Sequence, residues 1–226
     1  MMENTNIPDQ TVCQTTTETK TEQPDKLYAA ARIISTVFTP FMAPLVAFMM
    51  LFSVSYLRIL PIGYKLTVLS MVASFTVVLP MLGIFMFHKV NGWGIHELGK
   101  REKRFLPYGL TIMSYVACLL TMYHVHLPRY MSGIITATLI CMLLCTAINL
   151  KWKISTHMAS CGIIIGGLLS YSLIFQFNPT GWLCLFTLLA GMLGSARVIV
   201  KQHTLNEVAA GFFVGLFCGI IGILFI

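Results

Sequence analysis

The sequence is poor in charge, and poorest in acidic charge. Only 10% of its 226 residues are charged, against 57% hydrophobic, and the mean hydropathy is +0.80. A soluble domain carries about a quarter charged residues, so this composition excludes that class and leaves an integral membrane protein. Five of the eight acids (Glu3, Asp9, Glu18, Glu22, Asp25) lie within residues 1–26, and Glu97, Glu102 and Glu207 are the three that follow. So few carboxylates leave no ligand set for a two-metal site, and the expectation is a chemistry without metal or cofactor.

Other absences narrow the class further. The start of the chain lacks the basic residues and short apolar core of a secretory signal. Residues 1–26 instead form a Thr-rich tail of mixed charge, two lysines against five acids, expected to be disordered. A disulfide framework is also missing: Cys118, Cys141, Cys145, Cys161, Cys184 and Cys218 fall inside apolar runs and read as buried free thiols, with only Cys13 in the tail. No His-Glu-x-x-His metalloprotease motif occurs, since the second histidine position after His96-Glu97 is Lys100. A serine pairing of Ser195 with His203 would place both on adjoining helix ends without a clear oxyanion site.

What is present is apolar length. Runs near 33–57, 66–88, 108–127, 130–150, 156–176, 181–200 and 203–226 each approach the roughly 20 residues that cross a hydrocarbon core of about 30 Å. None alternates polar with apolar, and backbone amides in lipid must pair internally, so the runs are helices and the fold class is an all-α transmembrane bundle over residues 27–226. Six or seven crossings are expected, the doubt lying at Leu127-Pro128-Arg129-Tyr130 and at the charged end of the sixth run. Gly162, Gly166, Gly167, Gly191, Gly194, Gly211, Gly215, Gly219 and Gly222 recur at helical spacings that let backbones approach closely.

The basic residues sit mostly in short connections, where they set topology or meet anionic membrane lipids, and nucleic acid is set aside as a partner. If all seven runs cross, the tail and the connections at 89–107, 151–155 and 201–202 share one side, which holds twelve of the fifteen Lys and Arg. The positive-inside rule reads that side as cytoplasmic, and the short loops suit a bacterial inner membrane.

Three stretches on that side carry reactive groups. Arg197 to Glu207 is the first. A carboxylate one turn into an apolar helix costs about 2.5–3.5 kcal/mol unless partnered, and His203 precedes Glu207 by four residues on one helical face. Such a pair fixes the imidazole tautomer and prepares a nucleophile or base; it would also serve as a pair that orders two helices, or as part of a metal site. The second stretch is Asn149 to Met158, where Ser155, Thr156 or both would cap a helix whose free amides meet an anion, with His157 beside it. In the third, Gly99 to Pro107, Arg101 and Arg104 would project from one helical face with Lys100 adjacent, as a phosphate clamp or as an orienting basic loop.

The order of these stretches, over roughly residues 97–211, resembles the type 2 phosphatidic acid phosphatase superfamily, the metal-independent membrane lipid phosphatases related to vanadium haloperoxidases. That family's third motif, Ser-Arg, five residues, His, three residues, Asp, is matched in spacing by Arg197, His203 and Glu207, with Glu for Asp and Ala196 in place of serine. Its second motif, Pro-Ser-Gly-His, is represented by Ile154-Ser155-Thr156-His157, and its first has no clean counterpart. The resemblance implies that His203 attacks phosphorus to form a phosphohistidine, that Glu207 orients it, and that His157 protonates the leaving oxygen. It further implies that Arg197, Ser155, Arg101, Arg104, Lys100 and Thr156 hold the phosphate. The implied substrate is a lipid phosphate or diphosphate of the phosphatidic acid, phosphatidylglycerol phosphate or undecaprenyl diphosphate class. The competing expectation is a small-molecule, ion or proton transporter with Arg197, His203 and Glu207 as an intramembrane relay.

Overall fold

The computed structural model describes residues 39–54, 56–91 and 105–225, together with Tyr28, Ala29, Ala31, Arg32 and Ser35. Among them the fold is all-α, with no strand. A 3-10 turn, Pro40–Met42, leads into α1 (Ala43–Val54). Then come α2 (Ile62–Ala73) and α3 (Leu79–Asn91), joined without a break by the π-helical turn Ser74–Val78. They are followed by α4 (Phe105–His124), α5 (Arg129–Lys151), α6 (Thr156–Phe175), α7 (Thr180–Ile199) and α8 (Leu205–Leu224).

Five helices are long and apolar enough to cross a membrane: Ile62–Phe87, which joins α2 to α3, and α5, α6, α7 and α8. At 1.5 Å per residue a 20-residue helix covers about 30 Å. The protein is therefore built to be embedded in a bilayer. The run expected over 33–57 is not one crossing helix. Thr39 has extended backbone, Pro40 follows at the first turn where its missing N–H costs nothing, and α1 has only 12 residues, about 18 Å. Between α4 and α5, Leu127 N–H donates to Met122 O at 3.0 Å to close a turn, and Pro128 stands just ahead of α5. The two runs there are separate helices, α4 with 20 residues and α5 with 23.

The centre of the bundle is the pair α6 and α8. Hydrophobicity does not drive helices together in lipid, so association rests on close backbone packing, which small residues permit. A methyl group added at Gly219 of α8 would stand 2.6 Å from Ile163 O of α6, and one at Gly162 would stand 2.6 Å from Leu216 N. At Gly215 it would overlap the Ala159 carbonyl. Gly222 seats α8 on α5 in the same way, 2.6 Å from Ala137 Cα. Gly191 departs from the expected pattern, because a methyl group there would meet nothing within 4 Å.

The α6–α8 packing brings two connections together at one end. Ser155 N–H donates to Glu207 O at 3.3 Å, and Lys153 Nζ donates to Gln202 O. Residues 152–155, between α5 and α6, thus lie against residues 200–204, between α7 and α8.

Candidate functional site

The site is organised by the first turn of α8. Thr204 has the extended backbone of an N-cap, and its Oγ1 accepts from Glu207 N–H at 3.5 Å. In return Glu207 Oε2 accepts from Thr204 N–H at 3.4 Å, which completes a capping box. The same Oε2 lies 2.7 Å from His203 Nδ1, and both side chains are buried. The sequence argument placed His203 and Glu207 on one helical face. In the structure His203 precedes the cap and lies outside α8, and the pair meets because the capping box turns the carboxylate back over the helix start.

With Nδ1 facing a carboxylate, the ring proton belongs on Nδ1, which leaves the Nε2 lone pair for chemistry. Burial, joined by the nearby cations Arg197 and Lys153, pulls the imidazole down to about 4, against the Glu207 hydrogen bond, which pulls the other way. His203 is therefore neutral at pH 7. Glu207 is the one carboxylate among the described residues, so the surrounding charge is otherwise positive.

Arg197 lies in the last turn of α7 and is buried, with Nη1 donating to Ser35 Oγ at 2.7 Å. The chain then reverses through Lys201, whose φ of 54° is left-handed, with Lys201 N–H donating to Val198 O at 2.9 Å and Gln202 N–H to Arg197 O at 3.2 Å. This reversal carries His203 back toward Arg197.

Ser155 occupies the N-cap position of α6 as expected, but it makes no capping hydrogen bond. Its Oγ is fully buried and without a partner. Thr156 lines a cavity of about 30 Å³ with Thr111, Tyr115, Thr138 and Ser160. His157, half-buried, lines a different cavity of about 50 Å³ with Thr39, Met42, Phe186 and Leu193, on the side of α6 turned to α1 and α7. Lys100, Arg101 and Arg104 lie outside the described residues. A His203–Glu207 metal pair would have two donors, and among the described residues no group of three His, Cys, Asp or Glu is arranged to hold an ion.

The structure thus brings together His203, Glu207, Arg197 and the backbone of Ser155, and places Thr156 and His157 on other sides of the α6 start. Three residues at the site were not singled out in the sequence. Thr204 carried a signal, since Thr204-x-x-Glu207 is the capping-box spacing. Lys153 was visible only as one cation of a basic stretch, and Ser35, far away in sequence, carried none. The chain matches no protein-family model, no curated protein and no solved structure.

Proposed function

We propose that the protein is a membrane-embedded phosphatase that hydrolyses a lipid phosphate or diphosphate through a phosphohistidine on His203. The observation that carries this reading is the buried 2.7 Å contact between His203 Nδ1 and the lone described carboxylate, with Arg197 and Lys153 close enough to act on the same ring. A neutral imidazole with its free nitrogen in cationic surroundings suits attack on an anionic phosphorus centre.

In this reading Nε2 forms a bond to phosphorus while the ester oxygen leaves and takes its proton from water, because His157, the acid expected from the sequence, lines a different cavity between α1, α6 and α7. Glu207 holds the Nδ1 proton and stabilises the imidazolium character that develops as Nε2 donates its electron pair. Arg197 and Lys153 balance charge on the phosphoryl oxygens, and the buried Ser155 hydroxyl, which lacks a protein partner, offers one more hydrogen bond. Water then cleaves the P–N bond and releases phosphate. Substrate phosphate must take Arg197 from Ser35, its present acceptor. The cluster lies at the ends of α7 and α8, two helices of membrane-crossing length, where a lipid headgroup would be met. A transport site would be expected nearer the bilayer midplane, so this depth favours a reaction on a headgroup over an ion relay.

The test is phosphate release by the purified protein from a panel of phosphatidic acid, phosphatidylglycerol phosphate and polyprenyl diphosphate. Activity is expected to vanish in His203→Ala and to be inhibited by orthovanadate, an analogue of pentavalent phosphorus. Full activity in His203→Ala would remove the mechanism.

A further inference from the structure

A methyl group at Gly191, as at Gly63, Gly109 and Gly181, would meet no other helix, and Gly191 lines a large cavity. That cavity is a groove of about 530 Å³ between α7 and α8, lined by Thr187, Gly191, Gly194, Val198, Leu205 and Phe212. Its size falls in the range of ligand sites, about 300–1,000 Å³. Gly191, Val198 and Leu205 are exposed, and both walls belong to membrane-crossing helices, so the groove opens sideways to hydrocarbon.

One end of the groove is chemically unlike the rest. Val198 and Leu205 flank the reversal that holds Lys201 and His203, and Lys153 is tied to the same reversal through Gln202 O. Lys153 and Lys201 therefore lie beside this end of the apolar slot, with Arg197 in the adjoining last turn of α7, and Glu207, the one carboxylate among the described residues, is engaged by His203. Cations near a membrane surface favour an anionic headgroup by about 1 kcal/mol each.

We propose that this groove binds one hydrocarbon chain of a lipid whose phosphate headgroup lies among Lys153, Arg197 and Lys201. The assignment rests on the reading of the adjoining site as one for lipid phosphates, and it names where the tail of that substrate lies. Gly191 keeps the slot open: a large side chain there would fill space that the protein leaves empty, without displacing another helix.

The experiment uses the full chain in phosphatidylcholine vesicles. These are doped with phosphatidic acid carrying a photoreactive diazirine on one acyl chain, or with phosphatidylcholine carrying the same chain, and the labelled peptides are mapped. Labelling is expected on residues 187–198 and 205–212, stronger for phosphatidic acid by about fivefold for each cation engaged. It is expected to fall in Gly191→Trp and in Ser195→Phe, a second occluding variant, and to stay unchanged in Leu188→Trp, whose side chain lies outside the groove. Excess inorganic phosphate should leave the label in place.

Equal labelling by the two lipids, undiminished labelling in both occluding variants, or displacement by free phosphate would each overturn the assignment. Labelling needs no turnover, so the two readings fail separately. Headgroup-selective labelling without phosphate release removes the phosphatase and keeps the groove. Release from long-chain lipid that persists in both occluding variants removes the groove and keeps the phosphatase.

Discussion

A histidine held between a carboxylate and two cations titrates according to which influence wins, and at His203 burial and the cations win. The ordinary histidine pKa is about 6.5, so an unburied nucleophile would lose activity as pH falls through that value. For His203 the acid limb of lipid-phosphate hydrolysis is expected to lie well below pH 6, toward 4, where the neutral ring is finally protonated. Lys153→Met removes one of the depressing charges, and the limb should move to higher pH; an NMR titration of the ring checks this without turnover. The same shift has a stability consequence. A depressed folded pKa means that the unfolded chain binds the proton more readily, so stability present above about pH 6.5 is lost as pH falls toward 4.

Ser35 supplies a second test at this scale. Its hydroxyl accepts from Arg197 Nη1 at 2.7 Å, and a phosphate oxygen needs the same donor. Ser35→Ala should lower the concentration of orthovanadate that inhibits, by about fivefold if one net hydrogen bond of roughly 1 kcal/mol no longer competes. A structural role alone would leave inhibition unchanged.

The α6–α8 seam gives the sharpest contrast between positions of one residue type. Gly215→Ala forces a methyl group into the Ala159 carbonyl and is expected to destabilise by about 1–3 kcal/mol in a detergent unfolding titration. Gly191→Ala, with open space around it, should stay within about 0.5 kcal/mol of the parent. The glycine spacing made the seam legible from sequence, yet it treated Gly191 and Gly215 alike, because spacing does not say which face of a helix meets a partner. The helices themselves were legible from apolar length, and Pro128 marked a true boundary. The short α1 was less so, since its run reads as continuously apolar and only Pro40 hints that the chain turns before the helix begins. At the site, the approach of His203 to Glu207 was foreseen for a different geometric reason, and Ser35 was invisible because 162 positions separate it from Arg197.

For the whole molecule, the alternation of α5, α6, α7 and α8 puts Arg129 at the end opposite Lys201. Among the described cations, Lys151, Lys153, Arg197 and Lys201 gather at the site end, while Arg58, Lys65 and Arg129 lie at the other. In sealed vesicles, Lys201→Cys and Arg129→Cys, both exposed in the parent, are expected to react with an impermeant maleimide from opposite sides. Labelling of both from one side would break the crossing pattern on which the depth of the site depends.

The π-helical turn at Ser74–Val78 bears on the outer layer of this arrangement. Each residue advances an α-helix by about 100°, so the wider turn resets the rotational phase between the two halves of one crossing. The α2 half addresses α1, and beyond the turn the chain presents Gly83 to Leu110 of α4, while Ser114 of α4 donates to Phe75 O within the turn itself. Deleting one residue there would restore regular winding and yet swing every later side chain of α3 away from its neighbour.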